Sequence, residues 1–180
     1  MIYVFLADGF EEVEALVPVD MLRRAGAEVK TVGVTGKTVT SSHKVPVTAD
    51  ITKSEIKLDN SLELVILPGG MPGSNNLEAD ETVQKAIDYC ADNGVYISAI
   101  CAAPKILGHK GLLKGRKATC FPGFENDLIG AELTGFPAVT DGKFITGKGA
   151  GAAFAFGAEL IKALYGKDKA DSICKQMQCV

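Results

Sequence analysis

A chain of 180 residues with 47% apolar and 23% charged side chains can bury a sizeable core, which excludes a disordered or fibrous protein. Its net charge of −3, spread without long single-sign runs, gives no electrostatic case for nucleic acid or an acidic membrane surface. No run approaches ~20 apolar residues and no basic-plus-apolar leader opens the chain, so neither a membrane span nor a secretory signal is expected.

The length fits a single domain over residues 1–180. Largely continuous apolar runs at Ile2 to Ala7, Val29 to Val34, Leu62 to Leu67 and Val95 to Ile100 read as buried parallel strands. Helical patterns fall between them. Glu11 to Ala25 carries Val13, Leu16, Val17, Met21 and Leu22 at helical spacing and closes on Gly26, and a second helix opens at Asp80 and stops at Asn93-Gly94. Residues Thr38 to Lys57, rich in Thr, Ser and Lys, read as an excursion from the main sheet. The last third gives a strand-like Thr119-Cys120-Phe121, a strand pair around Asp141-Gly142 and a helix from Gly151 to Tyr165. Such alternation predicts an α/β fold with a mostly parallel sheet and helices on both faces.

Five cysteines, at 90, 101, 120, 174 and 179, form no paired framework, and the odd count points to reduced thiols and a cytoplasmic location. Cys174 and Cys179 have no second close pair and no histidine nearby, so no metal site, and no cofactor, is expected. Cys101 stands apart. It follows the Val95 to Ile100 run and precedes Ala102-Ala103-Pro104-Lys105-Ile106-Leu107, a helix start, with small residues two before and two after it. That is a strand-to-helix elbow, where helix N–H groups are expected to lower the thiol pKa; a buried core cysteine is the competing reading.

In an open α/β sheet, ligands gather at the carboxyl ends of the strands. There the chain places Asp8-Gly9-Phe10-Glu11-Glu12-Val13-Glu14, Pro68-Gly69-Gly70 and Cys101-Ala102-Ala103-Pro104. Gly69-Gly70 can bring bare N–H groups to a ligand, with Ala102 N–H as a second oxyanion donor. Glu11 and Glu12 suit the first turn of a helix, whereas Glu14 lies nearer the buried stripe. A carboxyl buried beside a thiolate should keep its proton and could shuttle it. No phosphate-loop glycine pattern follows any strand.

These three motifs, with Pro18-Val19-Asp20, Arg23-Arg24-Ala25-Gly26 and Thr146-Gly147-Lys148-Gly149, resemble in order the ThiJ/PfpI superfamily, and within it the branch of Parkinson disease protein seven. The resemblance implies a flavodoxin-like three-layer sandwich, a homodimer, Cys101 as reactive cysteine, Glu14 as its protonated partner, and the Gly70 and Ala102 amides around a bound oxygen. The dimer would carry Arg24 and the His43 region to the partner's site. His43 stands where close relatives carry an arginine, Phe121 where human-type members have a histidine, and Ala102 replaces the histidine of the protease-like branch. The activity implied is a cysteine-dependent, glutathione-independent glyoxalase or deglycase acting on small dicarbonyls or glycated substrates. The alternative is an oxidative-stress sensor or chaperone that uses Cys101 oxidation without turnover.

Overall fold

The computed structural model describes residues 1–179. Its chain runs β1 (Ile2–Leu6), α1 (Glu12–Arg24), β2 (Val29–Gly33), β3 (Thr38–Thr40), β4 (Pro46–Thr48), β5 (Ile51–Thr52), β6 (Leu64–Leu67), α2 (Gly73–Ala79), α3 (Glu81–Asn93) and β7 (Tyr96–Ile100). It continues with α4 (Pro104–His109), β8 (Lys117–Ala118), β9 (Glu132–Leu133), β10 (Ala138–Asp141), β11 (Phe144–Gly147), α5 (Ala153–Tyr165) and α6 (Lys167–Gln176). Seven strands form one sheet in the order β10-β11-β7-β6-β1-β2-β5, parallel except for β10 against β11. The fold is the flavodoxin-like α/β sandwich.

Side-chain alternation along the strands builds two cores. Ile2, Val4 and Leu6 of β1, Leu64 and Ile66 of β6 and Ile145 of β11 pack with Met21, Leu22, Phe156, Leu160 and Ile173 under α1, α5 and α6. Tyr3, Phe5, Val65, Leu67 and Ile97 point the other way, onto Leu77, Val83, Ile87 and Ile106 of α2, α3 and α4. Both faces are covered, which is why these strands read as continuous apolar runs. Asp80 caps α3 by accepting from the Thr82 and Val83 amides, and Gly94 ends it in the left-handed region at φ 65°.

The sheet order reverses between β1 and β6: the chain leaves β1 toward β2 and β5, then returns to β6 on the other side and moves out to β7 and β11. A crevice at that switch point is where such sheets hold ligands.

Three segments differ from the sequence reading. Thr119 to Phe121 is not a strand; the pairing ends at Ala118, and Phe121 N–H turns back to the Cys101 carbonyl at 2.9 Å. The Thr38 to Lys57 excursion holds only the β3–β4 hairpin, because Ile51–Thr52 returns to the sheet edge beside β2. The last long helix starts at Ala153, preceded by a 3₁₀ turn over Ala150–Ala152. No helix among the described residues is long and apolar enough to cross a membrane.

Candidate active site

Glu11 sets the entry to α1. Its carboxylate accepts from the Glu14 N–H at 2.7 Å, capping the helix and spending one of its free first-turn donors. The helix then turns Glu14 inward, and this carboxyl is 0% exposed. Its Oε2 accepts from Gly69 N–H at 2.9 Å. Oε1 has no nitrogen or oxygen partner, and the Cys101 thiol lies beside the carboxyl.

A buried, half-satisfied carboxylate is costly, and the group responds by holding its proton. Burial first, and then the charge of Glu11, raise its pKa from 4.5 to about 7 against the hydrogen bonds that lower it. The folded chain therefore binds this proton more tightly than the unfolded one. The stability it carries is fully present below pH 4.5 and is lost as the pH rises to about 7, an amount of about 3 kcal/mol. Urea unfolding from pH 4.5 to pH 8 should show the wild type losing that much more than Glu14→Gln; parallel curves would mean that Glu14 ionises in the folded protein as it does in water.

Cys101 sits at the end of β7 with φ 66°, a left-handed conformation that costs a non-glycine residue about 1–2 kcal/mol. Two ladder-like bonds hold it there. Its N–H donates to the Gly147 carbonyl at the end of β11, and its carbonyl accepts from Phe121 N–H, each at 2.9 Å. The Gly70 and Ala102 amides point at its sulfur.

The expected lowering of the thiol pKa is not what this elbow does by itself. Burial and the charge of Glu14 push the thiol up to about 12, and the two amides only offset part of that. The α4 helix is a six-residue segment, so its dipole is small. With Glu14 protonated, the charge repulsion on a Cys101 thiolate is removed and the carboxyl can donate a hydrogen bond to it. Cys90 and Cys120 are also pushed up, to about 12 and about 11, chiefly by burial, and neither has a carboxyl acid as hydrogen-bond partner.

The two glycines after β6 make this approach possible. A methyl group on Gly69 would lie 2.5 Å from Cys101 Cβ and 2.5 Å from Glu14 Oε2, and Gly70 takes φ 87°. Cys101, Glu14, Gly69, Gly70 and Ala102 are thus brought together. Phe121 joins them at the rim: its backbone holds Cys101, and its half-exposed ring covers Gly149, whose Cβ position is 3.1 Å from the ring and 4.0 Å from Glu14 Oε1. Gly147 and Gly149 were not singled out for the site in the sequence, although a glycine pair after a strand is the signal for them. Beside Phe121 and Gly149 opens a cleft of about 510 Å³, also lined by Pro137, Lys148 and Ala152.

Two further predicted residues make contacts elsewhere on α1 and its neighbouring hairpin. Arg24 is ten residues beyond Glu14 on α1, about 15 Å along the axis, and pairs with Asp20 at 2.9 Å. His43 is largely exposed on the hairpin loop, 3.1 Å from Glu12. Glu11, Glu12 and His43 are the one group of metal-ligand residue types gathered within 4.8 Å among the described residues. Both carboxylates are already occupied, Glu11 by the helix cap and Glu12 by the imidazole. His109 ends α4 with its pKa raised by hydrogen bonds to Glu78 at 2.5 Å and Asp127 at 3.2 Å.

The arrangement gathers a thiol, a buried carboxyl and two amide donors at the carboxyl ends of neighbouring strands. The chain is 33% identical over 175 residues to dj-1beta of Drosophila melanogaster, covering 96% of this chain and 93% of that protein. It is 37% identical over 168 residues to DJ-1 homolog B of Arabidopsis thaliana, covering 92% of this chain but spanning only 38% of that longer protein. A protein of Pyrococcus abyssi named as a deglycase is 28% identical over 165 residues, 91% of this chain and 98% of that one. The solved structure of oxidised Toxoplasma gondii DJ-1 superposes with a TM-score of 0.93 at 32% identity, covering 98% of this chain and 97% of that one. The sequence pattern of the DJ-1/PfpI family matches residues 1–163, and the chain belongs to that family.

Proposed function

We propose that the protein is a glutathione-independent glyoxalase and deglycase that uses Cys101 as nucleophile and Glu14 as proton carrier. The observation that carries this reading is the fully buried Glu14 carboxyl, one oxygen on Gly69 N–H and the other without a polar partner, beside the thiol. The deglycase name of the archaeal relative supports the same class.

The Cys101 sulfur adds to the aldehyde carbon of methylglyoxal, and the carbonyl oxygen takes a proton, giving a hemithioacetal. Glu14 in its carboxylate form removes the proton from the carbon bearing sulfur, and an enediol forms. Returned to the neighbouring carbon, that proton leaves a thioester, and water releases lactate and the free thiol. The sum is one dicarbonyl plus one water to one hydroxy acid, with no external oxidant or reductant. Gly70 and Ala102 N–H groups are suited to bind the oxygen where charge develops. For an amine glycated as a hemiaminal, the sulfur displaces nitrogen at that carbon: the C–S bond forms, the C–N bond breaks, and the amine leaves with a proton from Glu14, giving the same hemithioacetal. The test is production of lactate from methylglyoxal with glutathione absent.

A homodimer is part of the proposal, as is a reducing compartment such as the cytoplasm for five free thiols. Pro18 and Val19 of α1 are buried, and Val13 and Leu16 are its exposed large apolar residues. Pairing along that helix would bury them and could carry Arg24 and His43 to the other subunit's cleft. Light scattering at micromolar concentration is expected to give twice the 18.9 kDa chain mass, and a mass near 18.9 kDa would remove the dimer.

A further inference from the structure

Helix α6 ends in a left-handed cap whose two side-chain contact positions are both cysteine. Gln178 takes φ 56°, its N–H reaches the Lys175 carbonyl at 3.3 Å, and the Cys179 N–H reaches back to the Cys174 carbonyl at 3.0 Å. These are the two bonds of a Schellman cap, and in that motif the residue after the left-handed one packs on the residue whose carbonyl it binds. The contact is ordinarily apolar. Here it joins Cys174 to Cys179, both free and both half-buried, and the nearness of the second thiol adds to burial in raising the pKa of the first.

No other pair of thiols in the fold is built this way. Cys90 and Cys120 are buried on other elements, and the close partners of Cys101 are Glu14 and backbone amides. The pair also lies beyond residue 163, outside the stretch matched to the family, so it stands independently of the proposed catalytic reading. Met177, Gln178 and Cys179 line a groove with Phe154, and its Pro137 and Ala152 wall is shared with the cleft beside Phe121. The cap therefore lies next to the cleft at the candidate site.

We propose that Cys174 and Cys179 form a dithiol–disulfide couple that exchanges with low-molecular-weight disulfides such as oxidised glutathione. One protein thiolate attacks the glutathione disulfide; a mixed disulfide forms and one glutathione leaves as thiolate, taking up a proton. The second protein thiolate attacks the protein sulfur of that mixed disulfide, and the second glutathione leaves. Two protein thiols are oxidised and one glutathione disulfide is reduced to two thiols. The cap makes the second step intramolecular, which favours closure over a lasting mixed disulfide.

Lys175 lies between the two cysteines, so trypsin separates them and the bond is read directly. The full chain, as Cys101→Ser to remove the competing nucleophile, is equilibrated with mixtures of oxidised and reduced glutathione, alkylated, digested and analysed by mass spectrometry. The expected product is peptide 170–175 linked to the peptide beginning at Gln176, in a monomeric band on a non-reducing gel, and lost on reduction. Gln178→Val provides the geometric control. A β-branched residue resists the left-handed conformation, so opening the cap should lower the linked fraction about five-fold at the same glutathione ratio. Separate alkylation of both cysteines, stable glutathionylation of either, linkage only between chains, or an unchanged yield in Gln178→Val would each overturn the proposal.

Discussion

Replacing Cys101 by Ser is expected to lower glutathione-free turnover of methylglyoxal at least about a thousand-fold while leaving the fold intact. The side chain shrinks only slightly and the backbone bonds to Gly147 and Phe121 do not involve the sulfur, so thermal unfolding should barely move. The loss is chemical. A hydroxyl at this elbow keeps its proton far above any working pH, and a carboxyl that titrates near 7 is too weak a base to remove it. The thiol, pushed up to about 12 first by burial and then by the charge of Glu14, is relieved of that charge once the carboxyl is protonated, and a protonated Glu14 can donate to the thiolate. Lactate formed by Cys101→Ser at a rate within ten-fold of wild type would end the nucleophile assignment. Absence of turnover in the wild type as well, with Cys101 recovered oxidised after peroxide, would instead favour a sensor that works without turnover.

The parts of this site legible in the sequence were those set by strict local geometry. A cysteine between an apolar strand and a helix start, a glycine pair after β6, and an acid near the buried stripe of α1 each follow from which residue types a position tolerates. The sheet and its two cores were legible for the same reason, since strands covered on both faces must be apolar throughout. The thiol's electrostatics were not legible. The helix dipole is a local property, whereas the opposing charge of Glu14 and the depth of burial arise from packing between segments 87 residues apart. Long-range pairing also explains the error at Thr119 to Phe121, where β-prone residues are diverted to hold the Cys101 elbow. The positions of Arg24 and His43 follow from a helix axis and a hairpin loop.

Glu14→Gln is expected to reduce kcat by about 10² to 10⁴ while leaving Cys101 reactive toward iodoacetamide. The amide fits the existing partners: its oxygen can accept from Gly69 N–H as Oε2 does now, and its NH₂ can take the place of Oε1 and donate to the thiolate. Thiolate stabilisation therefore survives, and the Coulombic push that Glu14 exerts on the thiol when ionised is removed. Proton transfer between the two substrate carbons does not survive, because an amide neither releases nor accepts a proton near neutral pH. A second consequence separates this role from a merely structural one. With a carboxyl that titrates near 7, the wild-type pH-rate profile should carry a limb near that pH, and the residual activity of Glu14→Gln should lack it. Turnover close to wild type in Glu14→Gln, or a profile whose limb persists without the carboxyl, would show that another group moves the proton and that Glu14 serves only to pack and polarise the elbow.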